Sequence, residues 1–150
     1  MSRKKSVFIG FDTYELGSVV QAVLPDLVTT LREKHGCAVS VPWKAFLRNI
    51  GVRRVRKLRD VGNLDTSRSP LCVFLTESIS RPDTDLYEQI RAAHSRGLRR
   101  LGIIMKVQNS HLISEATFEM FRSTQTNYAT AVHTFDEALQ LVVNELAVKP

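Results

Sequence analysis

Five short apolar runs alternate with five helical segments along the chain, and this alternation constrains the fold more than any other feature. The runs are rich in β-branched residues and too short for ordinary helices, which indicates buried strands. They cover residues 5–11 (KSVFIGF), 38–42 (AVSVP), 71–75 (LCVFL), 101–107 (LGIIMKV) and 128–133 (YATAVH). The pattern predicts an α/β fold in which one five-stranded parallel sheet lies between two layers of helices.

Apolar residues at helical spacing mark the segments between the strands. They predict helices over residues 17–35, 51–64, 85–96, 114–123 and 136–147. Pro25 lies inside the first segment, which predicts either one kinked helix or two shorter helices that meet there. Thr134 and Glu137 form a capping-box pattern at the head of the last helix. Because crossovers between parallel strands are right-handed, the favoured arrangement is a flavodoxin-like three-layer sandwich with strand order 2-1-3-4-5.

Length and composition fit one globular domain over residues 1–150. The chain has 150 residues, of which 43% are hydrophobic and 24% charged. No apolar stretch is long enough to span a bilayer, and the run after the basic start is too short for a signal-peptide core. Cys37 and Cys72 fit small core residues of a reducing compartment. We therefore expect a cytoplasmic protein that has no membrane partner.

The motifs of several common ligand sites are missing from the sequence. There is no G-x-G-x-x-G after the first strand and no P-loop, which disfavours both of these nucleotide sites. There is no G-x-S-x-G elbow, and the Cys and His spacings do not resemble a zinc site. A phosphate-accepting receiver domain needs an aspartate at the end of strand three, where this chain has Thr76 and Glu77. We expect neither a metal ion nor a resident cofactor.

The net charge of +6 favours anionic partners in general. Five cations lie on one face of the predicted second helix: Arg53, Arg54, Arg56, Lys57 and Arg59. They would give a salt-dependent affinity for nucleic acid that does not depend on its sequence. A solvated helix face is the favoured explanation, because no aromatic residues interleave with the cations to form a stacking platform. Nucleic acid is therefore a partner that the sequence allows but does not favour.

Open parallel sheets bind ligands beyond the carboxyl ends of their strands, near the point where the strand order reverses. Polar and aromatic side chains follow several predicted strands at that edge. The candidate ligand contacts are Phe11, Asp12, Trp43, Lys44, Thr76, Ser78 and Tyr87, with Glu88 beside them in the next helix. Glu77 is a further candidate by position alone. Packing equally explains Trp43 and Tyr87, capping explains Asp12, and a favourable helix-dipole position explains Glu88.

Four segments, taken in order, resemble those of one known family. Residues 6–12 (SVFIGFD) resemble its opening strand, and residues 39–43 resemble its second strand and the loop that follows. Residues 58–75, with a glycine, a leucine and a serine ahead of LCVFL, resemble its third-strand region. Tyr87 and Glu88 resemble the Tyr-Glu pair in its next helix. The chain thus resembles a TIR domain, the flavodoxin-like module of innate-immune receptors and bacterial anti-phage proteins.

The chain also departs from the family pattern at three places. Gly10 and Phe11 stand where the family usually has a serine at the end of strand one. The tryptophan that precedes the Tyr-Glu pair is absent, and the serine of strand three is displaced to Thr76 or Ser78. These departures bear on activity more than on fold.

The resemblance implies an enzyme that cleaves the nicotinamide–ribose bond of NAD, by hydrolysis or cyclisation, in a defence or signalling role. Glu88 would match the catalytic glutamate of the family, and NAD would be the substrate rather than a cofactor. Stacking on a ring of the substrate would fall to Phe11, Trp43 or Tyr87. Lys44 or Arg48 would meet the pyrophosphate.

Two other functions fit the same fold. A non-catalytic TIR-like interaction module would bind partners through the loop after strand two, residues 43–51, and the basic second helix, and it would turn over no nucleotide. In enzymatic TIR domains this loop often completes the site across a subunit contact, so we expect self-association through it in either case. A nucleoside deoxyribosyltransferase-like enzyme would also place a glutamate at the ribose of its substrate, but it would act on free nucleosides and not on NAD.

Overall fold

The computed structural model describes residues 4–12, 17–42, 61–77, 84–107 and 115–148. Within these ranges one sheet contains the strands β1 (Ser6–Gly10), β2 (Ala38–Ser40), β3 (Leu71–Glu77), β4 (Arg99–Met105) and β5 (Asn127–Val132). All neighbouring strands pair in parallel, in the order β2-β1-β3-β4-β5. The predicted α/β, flavodoxin-like sheet is therefore confirmed.

Helices cover both faces of this sheet. The described helices are α1 (Ser18–Glu33) after β1, α2 (Thr84–Ser95) after β3, α3 (Glu115–Ser123) after β4 and α4 (Phe135–Ala147) after β5. Two 3₁₀ turns, Val61–Asn63 and Thr66–Arg68, precede β3. The buried side chains of α1 and α4 pack on one face, and those of α2 and α3 pack on the other. Each described helix follows one strand and leads back to the start of a parallel neighbour, so its N-terminus lies at the same edge as the carboxyl ends of the strands.

The first face owes its core largely to α1. Its apolar stripe is buried against the sheet and consists of Val20, Val23, Leu24, Leu27, Val28 and Leu31. Pro25 lies inside this helix, which nevertheless runs without a break. A proline removes one backbone hydrogen bond, whereas each fully buried Val or Leu contributes roughly 1.5–3 kcal/mol. Burial of the stripe therefore outweighs the lost bond, and α1 forms one helix rather than two.

The second face depends on a close approach between β4 and α3. Phe121 of α3 is fully buried and stacks on Tyr128 of β5 with ring centroids 5.5 Å apart. Gly102 of β4 lies under this ring, and a Cβ at that position would be 2.6 Å from one of its carbons. The glycine lets a phenylalanine occupy the space between the helix and the sheet.

Most element boundaries differ from the sequence prediction by one or two residues, and two strands extend into polar residues. β3 continues past its apolar run through Thr76 and Glu77, which pair with Ile104 and Met105 of β4. Backbone pairing does not depend on side-chain polarity, so the polar residues do not end the strand. β4 begins at Arg99 rather than at Leu101 for the same reason.

The end of the predicted second helix is also different. Residues 61–63 form a 3₁₀ turn instead of an α-helix. Arg96 holds this turn from α2, because its guanidinium donates hydrogen bonds to the carbonyl oxygens of Val61 and Leu64. The rest of that predicted helix, with its cations from Arg53 to Arg59, lies outside the described residues. No helix in the described part of the chain has the length and apolarity needed to cross a membrane.

Gly102→Ala should lower the free energy of unfolding by about 1–3 kcal/mol, because the new methyl group would displace the buried ring of Phe121. Gly62→Ala is the matched control, since a Cβ there would meet no atom within 4 Å. Its stability should stay within roughly 0.5 kcal/mol of the parent. Urea-induced unfolding measures both variants, and equal stabilities would contradict the close approach of Phe121 to β4.

Candidate functional site

The strand order reverses between β1 and β3, because β2 lies beyond β1 and β4 lies beyond β3. Doubly wound sheets bind ligands at such a reversal, in the crevice beyond the carboxyl ends of the two strands. β1 ends at Gly10 and leads into Phe11 and Asp12. β3 ends with Thr76 and Glu77. We call the region around these five residues the switch-point edge.

Glu77 ties the end of β3 to the start of α1. It is 6% exposed, and its Oε1 accepts a hydrogen bond of 2.9 Å from the backbone N–H of Val19. The N-cap residue of α1 is Gly17, which has no side chain to accept this bond. A Cβ at Gly17 would overlap Glu77 Oε2, so the glycine makes room for the carboxylate. An acid of the sheet therefore caps α1 and complements the positive end of its dipole.

Asp85 and Gln89 lie one turn apart on α2, beside the end of β1. Gln89 Nε2 donates hydrogen bonds to the carbonyl oxygen of Phe11 at 3.0 Å and to Asp85 Oδ2 at 3.1 Å. Asp85 is 8% exposed. A Cβ at Gly10 would lie 2.7 Å from Gln89 Oε1, so the absence of a side chain at Gly10 allows the carboxamide to lie against β1.

The amide oxygen of Gln89, Oε1, is buried and accepts no hydrogen bond from the residues that the structure describes. Turning the amide around would set Oε1 against the Phe11 carbonyl, which cannot donate, so the partners determine the orientation. A buried amide oxygen without a donor costs roughly 1–3 kcal/mol, which makes this contact an expensive way to fix a helix.

Glu88, the predicted catalytic carboxylate, is exposed on α2. It lies three residues after Asp85, so the two acids are neighbours along one side of the helix, one in solvent and one buried. Tyr87 lies on a different side. Its hydroxyl is 3.3 Å from Ser123 Oγ of α3, and the guanidinium of Arg91 lies 5.5 Å from its ring centroid. Tyr87 therefore packs between α2 and α3, whereas Glu88 is exposed to solvent.

Of the remaining predicted ligand contacts, the described ones are buried and the others lie outside the described residues. The ring of Phe11 is fully buried in the core under α1 and offers no face for stacking on a ligand. Its carbonyl oxygen, rather than its ring, takes part in the edge. Asp12 and Thr76 are 9% and 4% exposed at the ends of their segments. Four predicted contacts lie outside the described residues: Trp43, Lys44, Arg48 and Ser78.

The carboxyl edge of the sheet is acidic in the described part of the chain. Its acids follow strands or open helices, and they are Asp12, Glu77, Asp85, Glu115, Asp136 and Glu137. Lys106, at the end of β4, is the cation described there. Parallel strands place every helix N-terminus at this edge, where acids complement the helix dipoles. The described switch-point edge is therefore negative although the whole chain carries a net charge of +6.

The opposite, amino edge is basic. Its cations end helices or open strands, and they are Lys4, Lys5, Arg32, Lys34, Arg68, Arg96, Arg99, Arg100 and Arg122. Two of them cap α4: Lys5 Nζ donates to the Leu146 carbonyl oxygen and Arg99 Nη2 to that of Glu145, both at 2.7 Å. A cleft of about 280 Å³ lies beside these contacts. Helix capping accounts for Lys5 and Arg99, two of the cations that line this cleft.

Both cysteines are buried, and the described His, Cys, Asp and Glu side chains do not form a cluster of three or more metal ligands. Burial raises the pKa of the Cys72 thiol to about 12 and also raises that of Cys37. Both thiols are therefore protonated near neutral pH, and a protonated thiol is a poor nucleophile.

Asp85 and Gln89 are not among the contacts predicted from the sequence. Their spacing of four, beside the buried Leu86 and Ile90, is the signal that would have placed them on the inner side of α2. Glu77 is predicted at the edge by position, but its bond to Val19 spans 58 residues and leaves no local pattern.

No family model, curated protein or solved structure matches this chain. The resemblance to TIR domains therefore rests on the quoted sequence segments. The sheet order agrees with it but is shared by many unrelated proteins.

Glu77→Gln should destabilise the protein by roughly 0.5–2 kcal/mol, because the charge that caps α1 is lost. The amide of Val19 should exchange with solvent faster, which hydrogen exchange followed by NMR measures. Glu119→Gln, at an exposed position of α3, is the control and should leave that amide unchanged. Unaltered exchange at Val19 in the Glu77 variant would show that the carboxylate is not the cap.

Iodoacetamide at pH 8 should label both cysteines slowly in the folded protein and rapidly in urea. Burial raises the pKa of each thiol and shields it from the reagent, whereas unfolding returns both to the ordinary thiol pKa and exposes them. Mass spectrometry of labelled protein, with increasing urea, measures the rates. Equal rates with and without urea would contradict the buried positions of Cys37 and Cys72.

Proposed function

We propose that this protein is a TIR-like enzyme that cleaves the nicotinamide–ribose bond of NAD in a defence or signalling role, with Glu88 as its essential carboxylate. The observation that carries the proposal is the concentration of acids at the switch-point edge of a basic chain. Asp12, Glu77 and Asp85 are buried there, and Glu88 stands exposed beside them.

The reaction needs a negative environment at the ribose. When the bond between ribose C1′ and the nicotinamide nitrogen breaks, its electron pair goes to the ring nitrogen. Nicotinamide, which is cationic in NAD, then leaves as a neutral molecule without needing a proton. Positive charge develops on the ribose as in other glycosidic cleavages. Carboxylates arranged before the reaction stabilise that charge, and they do so more strongly where water is partly excluded.

Glu88 is the acid best placed to meet a substrate from solvent. Its exposed carboxylate can accept hydrogen bonds from ribose hydroxyls and face the developing cation. Asp85 accepts a hydrogen bond from Gln89 and is buried. Its part in the proposed reaction is to make the electrostatic potential at the ribose more negative, without contacting the substrate. A water molecule that adds to C1′ and gives up its proton completes hydrolysis, and an internal nucleophile of the substrate would give a cyclic product instead.

The phosphates of NAD need a different part of the surface. The acidic edge repels a pyrophosphate, so we place that group at the rim, with Lys44 in the loop after strand two as its contact. Self-association through residues 43–51 belongs to the same proposal, because a second copy would then complete the rim.

A nucleoside is the second candidate substrate. The observation in its favour is that acids outnumber cations among the described residues of the carboxyl edge, which repels a pyrophosphate but not a neutral nucleoside. A deoxyribosyltransferase-like enzyme would use the same carboxylates on a substrate without phosphates.

Purified full-length chain at high concentration should release nicotinamide from NAD, measured by liquid chromatography. Glu88→Gln should lower that rate by about 10²–10³-fold, because an essential stabilising group is removed without changing its size. Glu119→Gln, another exposed helical glutamate, should retain the parent rate. Melting temperatures of all three proteins should agree, since Glu88 lies at the surface.

The outcomes separate the candidate functions. Release of free base from deoxynucleosides, without loss of NAD, would select the second substrate. Equal NAD turnover by the parent and Glu88→Gln would remove Glu88 from the site. No turnover of either substrate would contradict an enzymatic role and favour a binding module, which concentration-dependent sedimentation would then reveal.

A further inference from the structure

We infer that Gln89 is a positioning residue of the switch-point edge, paired with Gly10. Its carboxamide locks α2 against the end of β1 and thereby holds Asp85 and Glu88 at the site. The inference rests on the proposed function, because it assigns to Gln89 a part in that reaction.

The lock consists of contacts to two separate segments. Gln89 Nε2 bonds the Phe11 carbonyl oxygen, which follows β1, and the carboxylate of Asp85, one turn back on α2. The first contact joins residues 78 apart in the chain and the second fixes one oxygen of the acid. A single planar amide therefore sets the distance from β1 to α2 and the direction of a buried carboxylate.

Gly10 is the counterpart of this side chain. A Cβ at position 10 would lie 2.7 Å from Gln89 Oε1, and it would also press on the ring of Phe74. A polar side chain at Gly10, such as the serine that TIR domains usually carry near this place, would displace the carboxamide. Glycine at the end of β1 and glutamine on α2 thus form one device.

Packing alone does not explain the glutamine. The neighbouring inward positions of α2 are Leu86, Ile90 and Ala93, all fully buried apolar side chains. An apolar residue at position 89 would continue that pattern and leave no buried amide oxygen without a donor. A polar group kept at a cost in stability is typical of places where geometry matters more than stability.

The consequence lies in the carboxylates of α2. Asp85 accepts a hydrogen bond from Gln89 Nε2, and Glu88 is the residue before Gln89 on the same helix. Without the lock the helix start can shift relative to β1, and a displacement of about 1 Å in a catalytic group costs roughly 10²-fold in rate.

Gln89→Met keeps the length of the side chain and removes both donors. It should lower kcat for NAD about 100-fold with little change in KM, because the substrate still binds but the carboxylates are misplaced. Gly10→Ala should also lower kcat, but together with the melting temperature, because a Cβ at position 10 would press on the buried ring of Phe74 as well as displace the carboxamide. Val142→Ala, in the core under α4, is the control: it lowers the melting temperature but should leave kcat unchanged well below melting.

Three results would overturn the inference or the function beneath it. An active parent with an equally active Gln89→Met leaves the proposed function standing and overturns the positioning role. A loss of kcat in Val142→Ala as large as that in Gln89→Met would also overturn it, because lost stability would then explain both. A parent without turnover contradicts the proposed function. In that case NMR of the Gln89 side-chain amide decides the lock, since protons bonded to Phe11 and Asp85 exchange slowly and unbonded ones exchange fast.

Discussion

The pairing of β1 with β3 is the contact on which the rest of the structure depends. Val7 stands opposite Leu71 and Gly10 opposite Phe74, so two segments about 60 residues apart lie side by side at the centre of the sheet. The register brings the ends of both strands to the same edge, with Phe11 and Asp12 beside Thr76 and Glu77. It also requires a glycine at position 10, because a Cβ there would lie 2.6 Å from the Phe74 ring.

The parallel pairing also determines which edge of the sheet carries the helix N-termini. Because every strand runs the same way and every described helix returns, helix N-termini gather at one edge and C-termini at the other. Acids then stabilise the first edge and cations the second. Glu77 on α1, and Lys5 and Arg99 on α4, show this with explicit hydrogen bonds. A net charge of +6 therefore does not reveal that, among the described residues, the carboxyl edge of the sheet carries mainly acids.

Local patterns were sufficient to predict the sheet and its order. Each strand is an apolar run, each described helix has its stripe, and the crossover rule leaves few arrangements. Thr134 is the N-cap of α4 as predicted: the Glu137 N–H donates to the threonine oxygen at 3.2 Å, and the threonine hydroxyl, rather than its backbone N–H, donates to Glu137 Oε1. What could not be predicted depends on distant partners: the end of β3 at Glu77 needs β4, and the 3₁₀ turn at Val61 needs Arg96.

The candidate site divides in the same way. Glu88 is predicted as the catalytic carboxylate only through the resemblance, and its exposure follows from the buried stripe of Leu86 and Ile90 on α2. The sequence does not predict a site role for Gln89, because a glutamine in a helix is ordinarily a surface residue and its contact with Phe11 joins residues 78 apart in the chain. The position of Trp43 and Lys44 at the rim stays a prediction.

The departures from the family pattern at the end of β1 have a physical consequence for the ligand. With Gly10 in place of a serine, this strand offers no hydroxyl, and the amide donors at the same level are already bonded to Phe11 and Asp85. The described switch-point edge therefore presents carboxylates, which accept hydrogen bonds and attract positive charge. Such an edge suits ribose hydroxyls and a cationic transition state, and it disfavours direct contact with phosphates. Under the proposed function, NAD would therefore enter ribose first, with its pyrophosphate away from these carboxylates.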